Sequence, residues 1–92
     1  MLVRKDLSVP QQAVQGGHAI AEYLLHHPCT VWDNGTLVYL GVKSEDQLNL
    51  WGDKLTDRGI DWKGFREPDI GDQMTALAAV SDGKAFSNLK LL

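Results

Sequence analysis

The stretch from Val3 to Leu25 constrains this chain most, because it predicts a strand, a tight polar loop and an amphipathic helix in direct succession. Val3 favours β structure, and the polar residues after it close a short strand. Ser8 is a candidate N-cap, and Pro10 stands in the first helical turn, where proline is tolerated. Apolar residues then recur every three or four positions, which indicates one buried helix face.

Two adjacent glycines, Gly16 and Gly17, interrupt this helix. Each glycine costs a helix interior about 1 kcal/mol relative to alanine. The pair therefore predicts a close approach of the helix to a sheet or to a ligand. His18 follows directly, on or beside the apolar face, and it becomes the first candidate functional residue.

Length and composition indicate one small globular domain spanning residues 1–92, with 43% hydrophobic and 23% charged residues. The net charge of −3 argues against a strongly basic nucleic-acid-binding surface. A single cysteine, Cys29, excludes an internal disulfide and disfavours a cysteine-built metal site. No apolar run approaches 18 residues, so we expect neither a membrane span nor a signal peptide, and a cytoplasmic location.

The remaining elements follow from periodicity and capping. The apolar run from Thr36 to Lys43 predicts a central strand covered on both faces. An S-x-x-Q capping box at Ser44 starts a second helix that should end near Asp57. Ile60–Arg66 alternates as an edge strand would, and Met74–Val80 predicts a further apolar strand. The fold prediction is therefore a single small α/β domain with a mixed, mostly parallel sheet of about four strands flanked by helices.

Three segments, taken in order along the whole chain, resemble the type II peptidyl-tRNA hydrolase family. The opening strand V-R-x-D-L is matched by Val3–Leu7, and the helix motif Q-x-x-H-A by Gln15–Ala19. The last-strand motif T-x-L-A-x is matched by Thr75–Ala79. No single motif is highly specific, but the ordered set is. The resemblance implies hydrolysis of the ester that joins a peptide to the 3′ end of tRNA, with tRNA as partner and without a cofactor or metal.

The family's proposed site combines a lysine in the first loop with an acidic residue and a threonine before the last strand. Here Gln11 occupies the place nearest that lysine, and the loop Glu67–Asp72 replaces the family's D-A-G-x-T motif. This departure leaves a second hypothesis open: a non-catalytic tRNA- or protein-binding module that keeps the fold. A third hypothesis is a homodimer formed through Trp62 on the edge strand.

The site prediction combines these motifs with the chemistry of their side chains. The predicted catalytic residues are His18, Asp69 and Thr75. The predicted substrate-binding residues are Lys5, Asp6, Gln11, Gln15, Glu67 and Asp72.

Each of these residues also has a purely structural interpretation. His18 can be a helix histidine that hydrogen-bonds to a neighbouring loop. Lys5 can be a solvated charge at the end of a strand. Asp6 fits a cap or loop brace, and Thr75 fits strand packing. The three carboxylates of the loop Glu67–Asp72 are suited to polarising a water, but equally to a solvated turn or a metal-binding loop.

Overall fold

The structure, a computed structural model, describes residues 1–92. Its elements are β1 (Leu2–Arg4), α1 (Val9–His26), β2 (Leu40–Val42), α2 (Glu45–Asp57), β3 (Trp62–Glu67) and β4 (Gln73–Ala79), with short 3-10 helices at Pro68–Ile70 and Lys84–Phe86. The predicted β-α-β-α-β-β order is confirmed.

The four strands form one mixed sheet in the order β2-β1-β4-β3. The predicted α/β domain with a mixed four-stranded sheet flanked by helices is therefore confirmed. The predicted predominance of parallel pairing is wrong, because parallel pairing is confined to β1 and β2, whereas β4 runs antiparallel to both of its neighbours. The reason is local: only residues 68–72 join β3 to β4, and a parallel crossover needs about a dozen residues or more.

The predicted long central strand over Thr36–Lys43 is wrong in length and position. Only β2 forms within it, at the edge of the sheet. The outer side of β2 is covered by the C-terminal tail instead: Gly41 N donates to Lys90 O and Leu92 N donates to Tyr39 O, each at 3.1 Å. This tail explains how an edge strand can carry an uninterrupted apolar sequence.

The two helices cover opposite faces of the sheet, so the domain has three layers. Because side chains of a strand alternate between faces, Leu2 points to the α2 side and Val3 to the α1 side. The core on the α2 side consists of Leu2, Leu40, Val42, Leu48, Trp51, Leu55, Met74 and Leu77. The core on the α1 side consists of Val3, Ala19, Tyr23, Ala76 and Ala78.

Both helices begin with the caps that the sequence predicts. Ser8 Oγ accepts a hydrogen bond from Gln11 N at 3.3 Å, and Ser44 Oγ accepts one from Gln47 N at 3.5 Å. Each cap follows the carboxyl end of a strand, β1 or β2. The two helix N-termini therefore lie at the same end of the sheet.

The glycine pair in α1 divides into one packed and one free position. A Cβ on Gly16 would lie 2.5 Å from Tyr39 Cε2, whereas a Cβ on Gly17 would meet no atom within 4 Å. Gly16 therefore makes a close approach, but to the side chain of the tyrosine that precedes β2 and not to a strand.

Candidate functional site

Polar side chains collect at the end of the sheet where β1 and β2 finish. Because β4 runs antiparallel to β1, its first residues lie at this same end, together with the end of β3 and the N-termini of both helices. Ligands of open α/β sheets bind beyond the carboxyl ends of the parallel strands. We call this region, formed by residues 4–6, 11–18 and 65–75, the polar end.

Arg4 and Asp6 form an ion pair at the polar end, on the α2 side. The guanidinium donates from Nε and Nη2 to the two carboxylate oxygens of Asp6, at 2.9 and 2.8 Å. Its Nη1 donates to Gln73 Oε1 at 2.9 Å and to Met74 O at 3.2 Å. The hydrogen bonds from Arg4 lower the pKa of the Asp6 carboxyl below its ordinary value. Asp6 therefore braces the loop after β1, one of the two roles that the sequence left open.

Thr75 and Gln15 form a buried pair on the α1 side. The register between β3 and β4 slips by one residue at Thr75, and this bulge turns its side chain toward α1. The Thr75 hydroxyl donates to Gln15 Oε1 at 2.8 Å and lies 3.3 Å from Phe65 O. Thr75 is 0% exposed and Gln15 7% exposed. The hydroxyl predicted to be catalytic thus positions Gln15 and has no contact with solvent.

His18 lies over the edge of the sheet. Its ring stacks on Phe65, with 4.3 Å between centroids and 10° between planes. His18 is exposed, and neither of its ring nitrogens hydrogen-bonds to a protein group. The other two histidines bond carbonyls of their own helix: His26 Nδ1 lies 2.8 Å from Glu22 O, and His27 Nδ1 lies 3.0 Å from Tyr23 O. His18 is therefore the histidine with free nitrogens and a fixed ring plane.

Lys5 and Gln11 flank the start of α1, and both are exposed. The stem of Lys5 passes over Gly41, where an added Cβ would lie 2.7 Å from Lys5 Cε. The Lys5 ammonium takes part in no ion pair. Gln11 stands in the first turn of α1, and its side chain makes no hydrogen bond to the protein. Both side chains are free to contact a ligand.

The loop Glu67–Asp72 presents its three carboxylates without protein partners. Asp69 lies in the first 3-10 helix, and Asp72 has a left-handed backbone with φ of 57°. The loop is held through its backbone, since Asp72 N donates to Glu67 O at 3.0 Å and Arg66 Nη1 donates to Asp72 O at 3.2 Å. No group of three or more His, Cys, Asp or Glu side chains in the chain could hold a metal ion. The loop therefore assembles no ligand set for a metal.

The structure thus joins some of the predicted residues and leaves others apart. It brings Gln15, Thr75 and His18 together around Phe65, and it joins Asp6 to Arg4. No side-chain hydrogen bond joins the group around Phe65 to Gln11, Glu67, Asp69 or Asp72. Sequence reasoning missed Arg4 and Phe65 as site residues; the signal for Phe65 was the alternation of its strand, which places it and Lys63 on one face.

A separate hollow of about 400 Å³ lies at the opposite end of the sheet, with mainly apolar lining that includes Met1, Tyr23, Trp32, Leu37 and Phe86. None of the predicted site residues lines it. The three tryptophans are structural in different ways: Trp51 is in the α2-side core, Trp62 Nε1 donates to Thr56 Oγ1, and Trp32 Nε1 donates to Thr36 O.

No protein-family model matches the chain, and a search of curated proteins finds no match either. Neither α1 nor α2 combines the length and the apolarity that crossing a membrane requires.

Proposed function

We propose that this protein hydrolyses the ester between a peptide, or an N-acyl-aminoacyl group, and tRNA. One observation carries the proposal. His18 presents two free ring nitrogens from a ring fixed on Phe65, and Gln15 stands one helical turn earlier, held by the buried Thr75. The ordered resemblance of the whole chain to type II peptidyl-tRNA hydrolases supports the same activity.

In the proposed mechanism His18 acts as the general base. A neutral imidazole nitrogen accepts a proton from water as the water oxygen attacks the ester carbonyl carbon. The tetrahedral intermediate then expels the 3′ oxygen of tRNA, which receives the proton from the imidazolium. This cycle gives a peptide carboxylic acid, which releases its proton to solvent, and a free 3′ hydroxyl, and it returns His18 to its starting state.

Gln15 is suited to stabilise the intermediate. Its Oε1 accepts the Thr75 hydroxyl, so the two N–H groups of its Nε2 remain available to the developing oxyanion. Thr75 acts in this scheme as a positioning residue, since it is fully buried. In this scheme the free ammonium of Lys5 and the amide of Gln11 contact the tRNA backbone. Asp69 orients the attacking water.

One observation favours a second function, a binding module without catalysis. The exposed Gln11 carries no positive charge where the resemblance expects a lysine. Such a protein would bind tRNA and leave its ester intact. Gln11→Lys separates the two functions, because it should raise hydrolysis strongly only if the missing ammonium limits the reaction.

The test is the release of free tRNA from N-acetyl-aminoacyl-tRNA by purified protein, with Asp69→Asn and Gln11→Lys compared in parallel. We expect turnover by the wild type, a loss in Asp69→Asn, and little change in Gln11→Lys. No release by folded wild type, together with strong release by Gln11→Lys, would favour the binding module. No release by either protein would refute the hydrolase proposal.

A further inference from the structure

We propose that the outer edge of β3 binds the peptide part of the substrate as an added, fifth strand. The ligand is an extended peptide backbone, recognised by main-chain hydrogen bonds next to His18. The proposal rests on the proposed function for the origin of this peptide, but the binding itself is testable without tRNA.

The direction of the backbone groups in β1 follows from its bonds to β2. Leu40 N donates to Met1 O, and Lys5 N donates to Val42 O, each at 2.7 Å. Alternate residues of a strand aim their N–H and C=O groups to the same side. The odd-numbered residues of β1 therefore face β2, and Leu2 faces β4.

The same alternation fixes which groups of β3 point away from the sheet. Leu2 lies opposite Leu77, so Leu77 aims its backbone groups toward β1. Gly64 lies opposite Leu77 on the other side and receives no hydrogen bonds from it. Gly64 thus aims its N–H and C=O outward, and so do Trp62 and Arg66, two positions away in either direction.

Met74 supports this assignment independently. It lies opposite Arg66, yet its N–H donates to Glu45 Oε2 at 2.7 Å and its carbonyl accepts from Arg4 Nη1 at 3.2 Å. Both backbone groups of Met74 therefore bond away from β3. Arg66 lies in a pair without ladder hydrogen bonds, which leaves its N–H and C=O facing outward.

This edge is open along its length. The C-terminal tail covers the other edge, at β2, and β3 contains no proline until Pro68 ends it. A hollow of about 520 Å³ borders the strand, lined by residues 62–66 with Glu22 and Met74. An open edge of six residues, roughly 20 Å long, is a template for an incoming strand.

The position of His18 indicates how the peptide lies. The His18 ring stacks on Phe65. Phe65 lies between Gly64 and Arg66, whose backbone N–H and C=O groups face outward. Beyond Phe65 the strand continues for only two residues, so a peptide with its ester beside His18 must extend toward Trp62, parallel to β3.

The charge of β3 suits a peptide that is attached to tRNA. Lys63 lies two residues before Phe65 and Arg66 directly follows it, and both cations complement the phosphates of the tRNA attached to the ester. A second copy has no ester to place beside His18, and its pairing at this edge would depend on protein concentration, which sets it apart from the peptide.

The test titrates ¹⁵N-labelled protein with an N-acetylated, C-terminally amidated six-residue peptide rich in Val and Thr, at up to millimolar concentration. We expect the Gly64 and Arg66 amides to shift and to become protected from hydrogen exchange, while Lys63 and Phe65, bonded inward, change least. No shift at millimolar peptide would overturn the proposal. If the Gly64 amide is protected without peptide, and the protection increases with protein concentration, a second copy of the chain occupies the edge and the proposal is overturned.

A matched pair of variants tests the hydrogen bond itself. Arg66→Ala and Arg66→Pro both remove the guanidinium, but only proline removes the outward N–H, at an edge position where proline is tolerated. Peptide should bind Arg66→Ala, and its affinity should fall by up to about tenfold further in Arg66→Pro, because one hydrogen bond is lost. Equal affinity of the peptide for the two folded variants would contradict the proposal. If Arg66→Pro does not fold, the hydrogen-exchange pattern of the wild type with peptide decides whether the proposal holds.

Kinetics separate this proposal from the function on which it rests. If both hold, KM for a tRNA ester of the six-residue peptide should be about tenfold lower than KM for N-acetyl-aminoacyl-tRNA. Equal KM values with normal turnover would refute the added strand alone. Peptide binding without any turnover would refute the hydrolase alone.

Discussion

The buried Thr75–Gln15 pair joins α1 to β4 through one hydroxyl group. Thr75→Val keeps the shape of the side chain but removes the 2.8 Å hydrogen bond and leaves Gln15 Oε1 without a partner. Because Thr75 is 0% exposed and Gln15 7% exposed, water cannot readily replace the hydroxyl. We expect the free energy of unfolding to fall by about 1–3 kcal/mol.

For a domain of this size that loss is large, since the total stability expected is about 5–14 kcal/mol. It should lower Tm by roughly 5–20 °C, measured by thermal and urea denaturation followed by circular dichroism. Thr75→Ser keeps the donor and serves as the matched control, with a smaller loss from its missing methyl group. In the double variant Thr75→Val/Gln15→Leu both polar groups are gone, so much of the loss should be recovered. A Thr75→Val protein within about 0.3 kcal/mol of wild type would refute this account.

Three further substitutions test the Arg4–Asp6 ion pair and the packing of α1. The folded state loses the stabilisation from Asp6 as pH falls through the depressed folded pKa of this carboxyl. Because the Asp6 side chain is 45% exposed and solvent screens the pair, Asp6→Asn should cost only up to about 1 kcal/mol at neutral pH, and the difference in Tm from wild type should shrink below about pH 4. Gly17→Ala should stabilise α1 by up to about 1 kcal/mol, because its Cβ meets open space. Gly16→Ala should instead destabilise by about 1 kcal/mol, because its Cβ displaces the Tyr39 ring.

Each of these perturbations has an outcome that contradicts its reasoning. A Tm difference between Asp6→Asn and wild type that stays constant from pH 7 to pH 3 would show that the Arg4 ion pair adds nothing. Gly16→Ala and Gly17→Ala shifting Tm by the same amount would show that Tyr39 does not restrict α1. Thermal denaturation followed by circular dichroism, at matched protein concentration, measures both comparisons.

Local signals were sufficient for the helices and for the order of the elements along the chain. The Ser8 and Ser44 caps and the apolar period specify α1 and α2 with little help from distant residues. The extent of β2 was not predictable in this way, because the tail residues Lys90 and Leu92 cover its edge from the far end of the chain. Hydrophobicity alone indicates burial and does not say which segment provides it.

The candidate site shows the same division between local and distant information. His18 stood out from its neighbours in the sequence, but its ring plane is set by Phe65 on another strand. The bulge that turns Thr75 toward Gln15 depends on the register between β3 and β4 and leaves no mark in residue type. Arg4 likewise needed Gln73, 69 positions away, to complete its hydrogen bonds.

The most direct measurement of the central claim is the single-turnover rate of tRNA release from N-acetyl-aminoacyl-tRNA by wild type, His18→Ala and His18→Phe. Phenylalanine retains a ring to stack on Phe65 but has no nitrogen to accept a proton. We expect both variants to lose about 10²–10⁴-fold in rate, with substrate binding weakened in His18→Ala and retained in His18→Phe. Release by His18→Phe at the wild-type rate would show that the imidazole transfers no proton and would contradict the proposed mechanism.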